Sequence, residues 1–184
     1  DYAQSGVYEF SIIGSEGNLT DDELFVITVN NTDRAPVLAA IGDETVSENS
    51  AISGIDANDG GDDFDADNDA ITYTCYYDQT VDGSVATTTA CSTLANVTFT
   101  GATGAMSWTP DYAQSGVYEF SIIGSEGDLT DDELFVITVN NTDQAPVLAA
   151  IGDQTVGENA AITQVNANDG GDDFDADNDA ITYT

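Results

Sequence analysis

The chain has 184 residues, 35 Asp plus Glu, one Arg, no Lys and no His, for a formal charge of -34. So little positive charge excludes nucleic acid, whose binding needs Lys and Arg to displace counterions, and anionic membrane surfaces. Hydrophobic residues make up 41% and are patterned, so the chain can bury a core, yet no apolar run of about 18 residues is present for membrane insertion.

Repetition organises the sequence. Residues 1–74 align without a gap on 111–184 and differ at nine positions, among them Asn18/Asp128, Arg34/Gln144 and Glu44/Gln154. The period is 110 residues, the size of one sandwich domain. VNNTDRAPV (29–37) and VNNTDQAPV (139–147) are short, polar and end at a proline, as stiff connectors do. They divide the chain into the back of one repeat (1–34), a complete repeat (35–143) and the front of the next (144–184). The missing initiator Met and the out-of-phase ends suggest a segment of a longer chain.

In chain order, the complete repeat first offers an acidic run. Seven Asp fall between residues 56 and 69, and Asp63, Asp65, Asp67 and Asp69 alternate with Phe, Ala and Asn. The same letters return as Asp173, Asp175, Asp177 and Asp179. Two unit charges 4 Å apart repel by about 1 kcal/mol in water and about 4 at an effective dielectric of 20. A chain without Lys needs a cation to concentrate them. Ca²⁺ suits alternate carboxylates in a loop, since it takes six to eight hard oxygen ligands in loose geometry, whereas Mg²⁺ demands a tighter octahedron. The alternative is a solvated acidic face of the kind a salt-adapted protein carries.

The strands follow. AITYTCYY (70–77) puts Ile71, Tyr73 and Cys75 on one face. Cys75 and Cys91, with fifteen residues between them, fit a local disulfide in an oxidising compartment, two buried free thiols being the alternative. NVTFTG and AMSWTP give two short strands around the turn GATG, and Trp108 is read as core. Within DYAQSGVY, Asp111, Gly116 and Tyr118 have the pattern of a tyrosine corner. VYEFSII (117–123) then aligns Tyr118, Phe120 and Ile122, and ELFVITV (133–139) aligns Phe135, Ile137 and Val139. Short strands, regular turns and no 3.6-residue period predict an all-β chain of tandem Ig-like/cadherin-like β-sandwich domains of about 110 residues.

The stretches APVLAAIGDQTVGENAAI, DADNDAITYT, FTGATGAMSWTPDYAQSGVYEFSI and LTDDELFVITVNNTDQAP resemble the cadherin-like and Ig-like tandem repeats of large prokaryotic surface proteins, the dystroglycan-type cadherin-like group above all. The insertion from Cys75 to Cys91 departs from the short hairpin usual there. The resemblance implies calcium at the junction between domains, with x-E-N acids Glu48 and Glu158, D-x-D acids Asp65/Asp67 and Asp175/Asp177, and linker ligands Asn30, Asp33, Asn140 and Asp143. Glu48 would reach linker 140–143, and the next domain would complete that site with Asp175 and Asp177.

The implied protein is an extracellular or cell-surface stalk or filament used in adhesion, held rigid by Ca²⁺, whose partners are neighbouring repeats and other copies of the chain. A second reading is a glycan- or protein-binding module, in which Tyr76, Tyr77 and Asp78 of the Cys75–Cys91 loop would meet a sugar. An enzyme is the least supported class. Triads need an imidazole or amine base, zinc needs His or Cys clusters, and among so many acids a glycosidase-like pair is uninformative. Sequons at Asn18, Asn30, Asn96 and Asn140 permit glycosylation, although glycans on Asn30 and Asn140 would crowd the proposed joints.

Overall fold

A computed structural model describes residues 4–58, 61, 63–162, 164–168, 171 and 173–184. Asp59 and Asp62 of the acidic run, with Asp169 and Asp172 of its copy, lie outside the described residues. In order, the strands are β1 (Gly6–Glu16), β2 (Leu19–Val29), β3 (Glu44–Ser47), β4 (Ile52–Asp56), β5 (Thr72–Asp78), β6 (Val97–Thr100), β7 (Ala105–Trp108), β8 (Gly116–Glu126) and β9 (Leu129–Asn140). Strands β3 to β9 form two facing sheets, β3-β9-β8-β5 and β4-β7-β6. All pairings are antiparallel except β3 with β9. A first strand lying parallel to the last, on the sheet opposite the second strand, is the Ig-like/cadherin-like β-sandwich arrangement, and the chain is all-β in that class.

Alternation dictates the core. Tyr118, Phe120 and Ile122 of β8 and Phe135, Ile137 and Val139 of β9 point inward and are buried, against Trp108 and Met106 of β7. Trp108 meets Tyr118 edge-on at a centroid distance of 4.9 Å, and Phe120 stacks on Phe135 at 5.4 Å. Both polar handles are satisfied: the Trp108 indole N–H donates to the Ala95 carbonyl at 3.1 Å. The Tyr118 hydroxyl donates to the Gln114 carbonyl at 3.1 Å, the tyrosine corner that DYAQSGVY predicts. Gly124 is required by close approach, because a Cβ there would lie 2.6 Å from Leu38 Cδ2. Gly104, at φ +72°, turns the β6–β7 hairpin directly onto Ala57.

Cys75 and Cys91 form the disulfide, and the loop it closes guards an edge. The Tyr77 N–H donates to the Thr89 carbonyl at 3.0 Å, so the outer side of β5 is partly paired. Glu119, buried on the outer face of β8, accepts the N–H groups of Asp82 and Gly83 at 3.1 Å and pins the same loop. Replacing both cysteines by serine is expected to lower stability by about 3 kcal/mol through the larger entropy of the open chain. Guanidinium unfolding measures it; an unchanged midpoint would mean that Glu119 holds the loop unaided.

Strands β1 and β2 form a hairpin in the register of β8 and β9. Phe10 faces Phe25 as Phe120 faces Phe135, and the rings stack at 5.5 Å. Phe10 is nevertheless 44% exposed where Phe120 is 0%. Residues 144–184 contain no strand among the described residues, only a bridge from Val147 to Phe174 that matches Val37 to Phe64. The hairpin and the bridge therefore repeat locally, whereas β3, β4 and β5 form only where partner strands lie beside them.

Candidate metal centre

The acidic run folds on its own hydrogen bonds. Asp65 Oδ1 accepts the N–H groups of Asp67 and Asp69, each at 3.0 Å. The copy repeats this, Asp175 Oδ1 accepting from Asp177 at 3.2 Å and Asp179 at 3.0 Å. Asp63 holds the loop down, with Oδ1 taking the Ala39 N–H at 2.8 Å and Oδ2 the Tyr73 hydroxyl at 2.7 Å. Asp173 does the same with Ala149 and Tyr183. Asp63 and Asp173 therefore spend both oxygens on the protein and build the loop. The D-x-D-x-D spacing makes this local structure because a short carboxylate can bond backbone two and four residues on.

Around that loop three chain segments converge. One carboxylate oxygen each of Asp65, Asp67 and Glu126 lies within 4.8 Å of the others, and so do oxygens of Asp33, Asp69 and Glu126. Asp33 comes from the linker, the other Asp residues from the loop, and Glu126 from the tip of the β8–β9 hairpin. Asp67 Oδ2 also accepts the Arg34 N–H at 3.2 Å, tying linker to loop. Asp65 Oδ2, Asp67 Oδ1 and Glu126 Oε2 are buried without a hydrogen-bond partner. Buried oxygens facing one another with no N–H or hydroxyl donor among them leave a demand for positive charge, which bound protons or a hard cation can meet.

The second junction is built alike. Asp143, Asp177 and Asp179 bring oxygens within 4.8 Å of one another, and Asp177 Oδ2 accepts the Gln144 N–H at 2.8 Å. Glu48, buried at 2% exposure, lies at the linker 140–143 end of the sandwich. Its Oε2 accepts the Thr142 N–H at 2.8 Å, its N–H donates to the Asn140 carbonyl at 3.1 Å, and its Oε1 is buried without a partner. Asn30 and Asn140 have exposed side chains; Asn31 and Asn141, their neighbours, donate to Asp33 and Asp143. Glu158 is exposed and is not brought to a linker among the described residues. The sequon residues Asn18 and Asn96 are exposed too, Asn96 in a turn with φ 66°.

Protonation reflects the crowding. Burial raises Asp67 first, then the proton it shares with Asp65; burial also pushes Asp65 upward, but backbone N–H groups outweigh it and hold Asp65 low. In the copy the order is reversed, Asp175 being raised by its bond to Asp177 and Asp177 lowered. Each pair thus titrates as a unit that keeps one proton longer than a lone Asp. Burial, followed by bonds to Asp69 and Asp65 and by their charge, pushes Glu126 up to about 7. Without metal, folded Glu126 holds its proton between pH 4.5 and about 7, where the unfolded chain has lost it. Metal-free stability is therefore expected to fall as pH rises through that window, and Glu126→Gln to flatten the fall; thermal melts in EDTA across the window read it.

Glu126 was not singled out by sequence. The signal lay in register: β5 pairs Thr72 with Ser125, which sets Glu126 beside the residues just before Thr72, where Asp69 stands. The sugar-contact reading loses one residue, because Tyr77 turns inward, with ring centroids 5.9 Å from Phe120 and 6.4 Å from Tyr118.

The fold is that of an all-β sandwich of the Ig-like/cadherin-like class. No protein-family model matches the sequence, and no curated protein does. Among solved structures, it is similar to an endo-fucoidan hydrolase of glycoside hydrolase family 107, at 21% identity and TM-score 0.39, over 77% of this chain and 20% of that one. It is also similar to a chimeric titin Z1Z2, at 15% identity and TM-score 0.42, over 60% of this chain and 99% of that one. Human protocadherin-24 EC1-2 is a third, at 12% identity and TM-score 0.41, over 77% and 69% of the two chains. The chain spans a fifth of the hydrolase's length. No helix among the described residues is long and apolar enough to cross a membrane.

Proposed function

We propose that the chain is a structural segment of a large secreted or cell-surface protein of the dystroglycan-type cadherin-like kind, a stalk or filament for adhesion whose joints are stiffened by Ca²⁺. One observation carries this: buried carboxylate oxygens without partners occur at both ends of the sandwich, Asp65 Oδ2 at one and Glu48 Oε1 at the other, each beside a linker. Asp33, Asp65, Asp67, Asp69 and Glu126 would hold Ca²⁺ at the first linker. Glu48, Asp143, Asp177 and Asp179 would hold it at the second. The ion would supply charge neutralisation and a fixed angle between repeats, and no chemical step.

Thermal unfolding and small-angle scattering of the chain in millimolar Ca²⁺, in EDTA and in NaCl of matched ionic strength test the reading. A ligand at a hundred times its Kd stabilises by about 2.7 kcal/mol, so a clear rise in melting temperature with an extended, stiff profile is expected. If Ca²⁺ does no more than NaCl, the carboxylates are a solvated face. A second reading has a specific observation behind it. An open groove of about 300 Å³, lined by Tyr76, Ser92 and Phe99 among others, runs beside the disulfide, and a glycan array would show whether it takes a sugar.

A further inference from the structure

We infer that the acidic loop carries, beside its carboxylate cluster, a shallow subsite for one ring of a neutral saccharide. An open pocket of about 320 Å³ lies between the loop and the start of β5, with Asn58, Phe64, Asp65, Asn68 and Asp69 among its walls. That volume falls at the lower end of small-ligand pockets, about 300–1,000 Å³. Two acceptors of the lining residues are orphaned. Asp65 is 7% exposed, and its Oδ2 is buried with no hydrogen-bond partner among the described residues. Asn58 Oδ1 is buried and unpartnered in the same way. An orphaned acceptor carries a desolvation cost that a bound hydroxyl donor relieves.

The pocket also has an aromatic wall. Both backbone groups of Phe64 are bonded to Val37, yet its ring is 59% exposed, so the bridge presents the ring to solvent. Eight of the nine lining positions recur 110 residues on, from Asn168 to Tyr183, around an open pocket where Phe174 is 58% exposed. Phe64 stands on the complete sandwich and Phe174 follows that sandwich through the linker, so the exposed ring belongs to the loop itself. An aromatic face beside amide and carboxylate oxygens fits a ligand with one apolar face and hydroxyl donors at its rim, which is a pyranose ring. A bare cation would satisfy the oxygens without using Phe64, and a sulfated or uronic sugar is repelled by the carboxylates. Asp65 also serves the calcium reading; Asn58 and Phe64 do not, and the saccharide inference stands without calcium.

Saturation-transfer NMR with neutral hexasaccharides of glucose, mannose and galactose tests the inference on the whole chain, in EDTA and in Ca²⁺. Calorimetry with the strongest binder then gives the affinities. Phe64→Ala combined with Phe174→Ala should weaken binding about tenfold. Both rings are more than half exposed, so circular dichroism should stay unchanged. Asn58→Ala combined with Asn168→Ala should also weaken binding, while the sugar-free melting temperature holds or rises because an orphaned acceptor is gone. A purely structural amide would lower that temperature and leave binding alone. Tyr76→Ala, in the groove beside the disulfide, should change nothing. No binding in either buffer, or binding that Tyr76→Ala abolishes and the loop variants leave intact, would overturn the inference. Binding confined to Ca²⁺ would place the hydroxyls on the ion instead of on Asn58 and Asp65, and would overturn it too. Binding in EDTA keeps the subsite even where the melts discard calcium.

Discussion

Phe120→Ala is expected to destabilise the sandwich by about 4 kcal/mol, and Phe10→Ala by less than about 0.5. The two phenylalanines sit in the same eleven-residue strand sequence, paired with equivalent partners, Phe135 and Phe25. They differ in what covers them. Phe120 is sealed beneath Trp108 and Tyr77, so truncation forfeits transfer free energy and leaves a void. Phe10 faces water and loses only the stack with Phe25. Urea unfolding followed by Trp108 fluorescence gives both values. Equal losses would show that the hairpin is packed against something even in the dilute chain, and would remove the basis for calling its face open.

Asp65→Asn should act with opposite signs in the two metal states. The amide oxygen can still accept the N–H groups of Asp67 and Asp69, so the turn survives. In EDTA the substitution removes a charge that Asp67 and Glu126 crowd, and the melting temperature should hold or rise. In Ca²⁺ it removes a hard anionic ligand, so affinity at that junction should fall on the order of tenfold or more and the calcium-dependent gain should shrink. Asp63→Asn provides the contrast. Both Asp63 oxygens accept protein hydrogen bonds, so that change should destabilise in either condition. Calorimetry with Ca²⁺ alongside melts in both buffers resolves the three cases. A loss from Asp65→Asn of the same size in EDTA and in Ca²⁺ would make Asp65 a structural carboxylate and sink its role as a ligand.

What could be read from the chain was whatever depends on near neighbours. The inward faces of β8 and β9 follow from two-residue alternation, and the tyrosine corner from a four-residue spacing. The turn made by Asp65, Asp67 and Asp69 is equally local, which is why it forms identically at Asp175 with no sandwich around it. The same alternation that put Ile71, Tyr73 and Cys75 inside also places Tyr77 there, so its position was legible although the loop reading gave it to a ligand. Glu126 and Glu119 were not legible. One reaches its partners through the register of β5 on β8, and the other through a loop folding back over the outer face. Both depend on contacts more than thirty residues distant, which composition and spacing do not encode.

The parallel pairing of β3 with β9 has a mechanical meaning. The chain enters the sandwich along β3 and leaves it along β9 in the same direction, with Glu44 level with Ile137 and Ser47 level with Asn140. Tension along a tandem array therefore pulls these two strands past each other lengthwise. Their hydrogen bonds share the load and must fail together, whereas a hairpin pulled from its open end would unzip one bond at a time. In this sandwich the element that would bear such a load is four residue pairs at its edge. If the proposed stalk is loaded along its length, each such repeat would resist extension in shear at this edge.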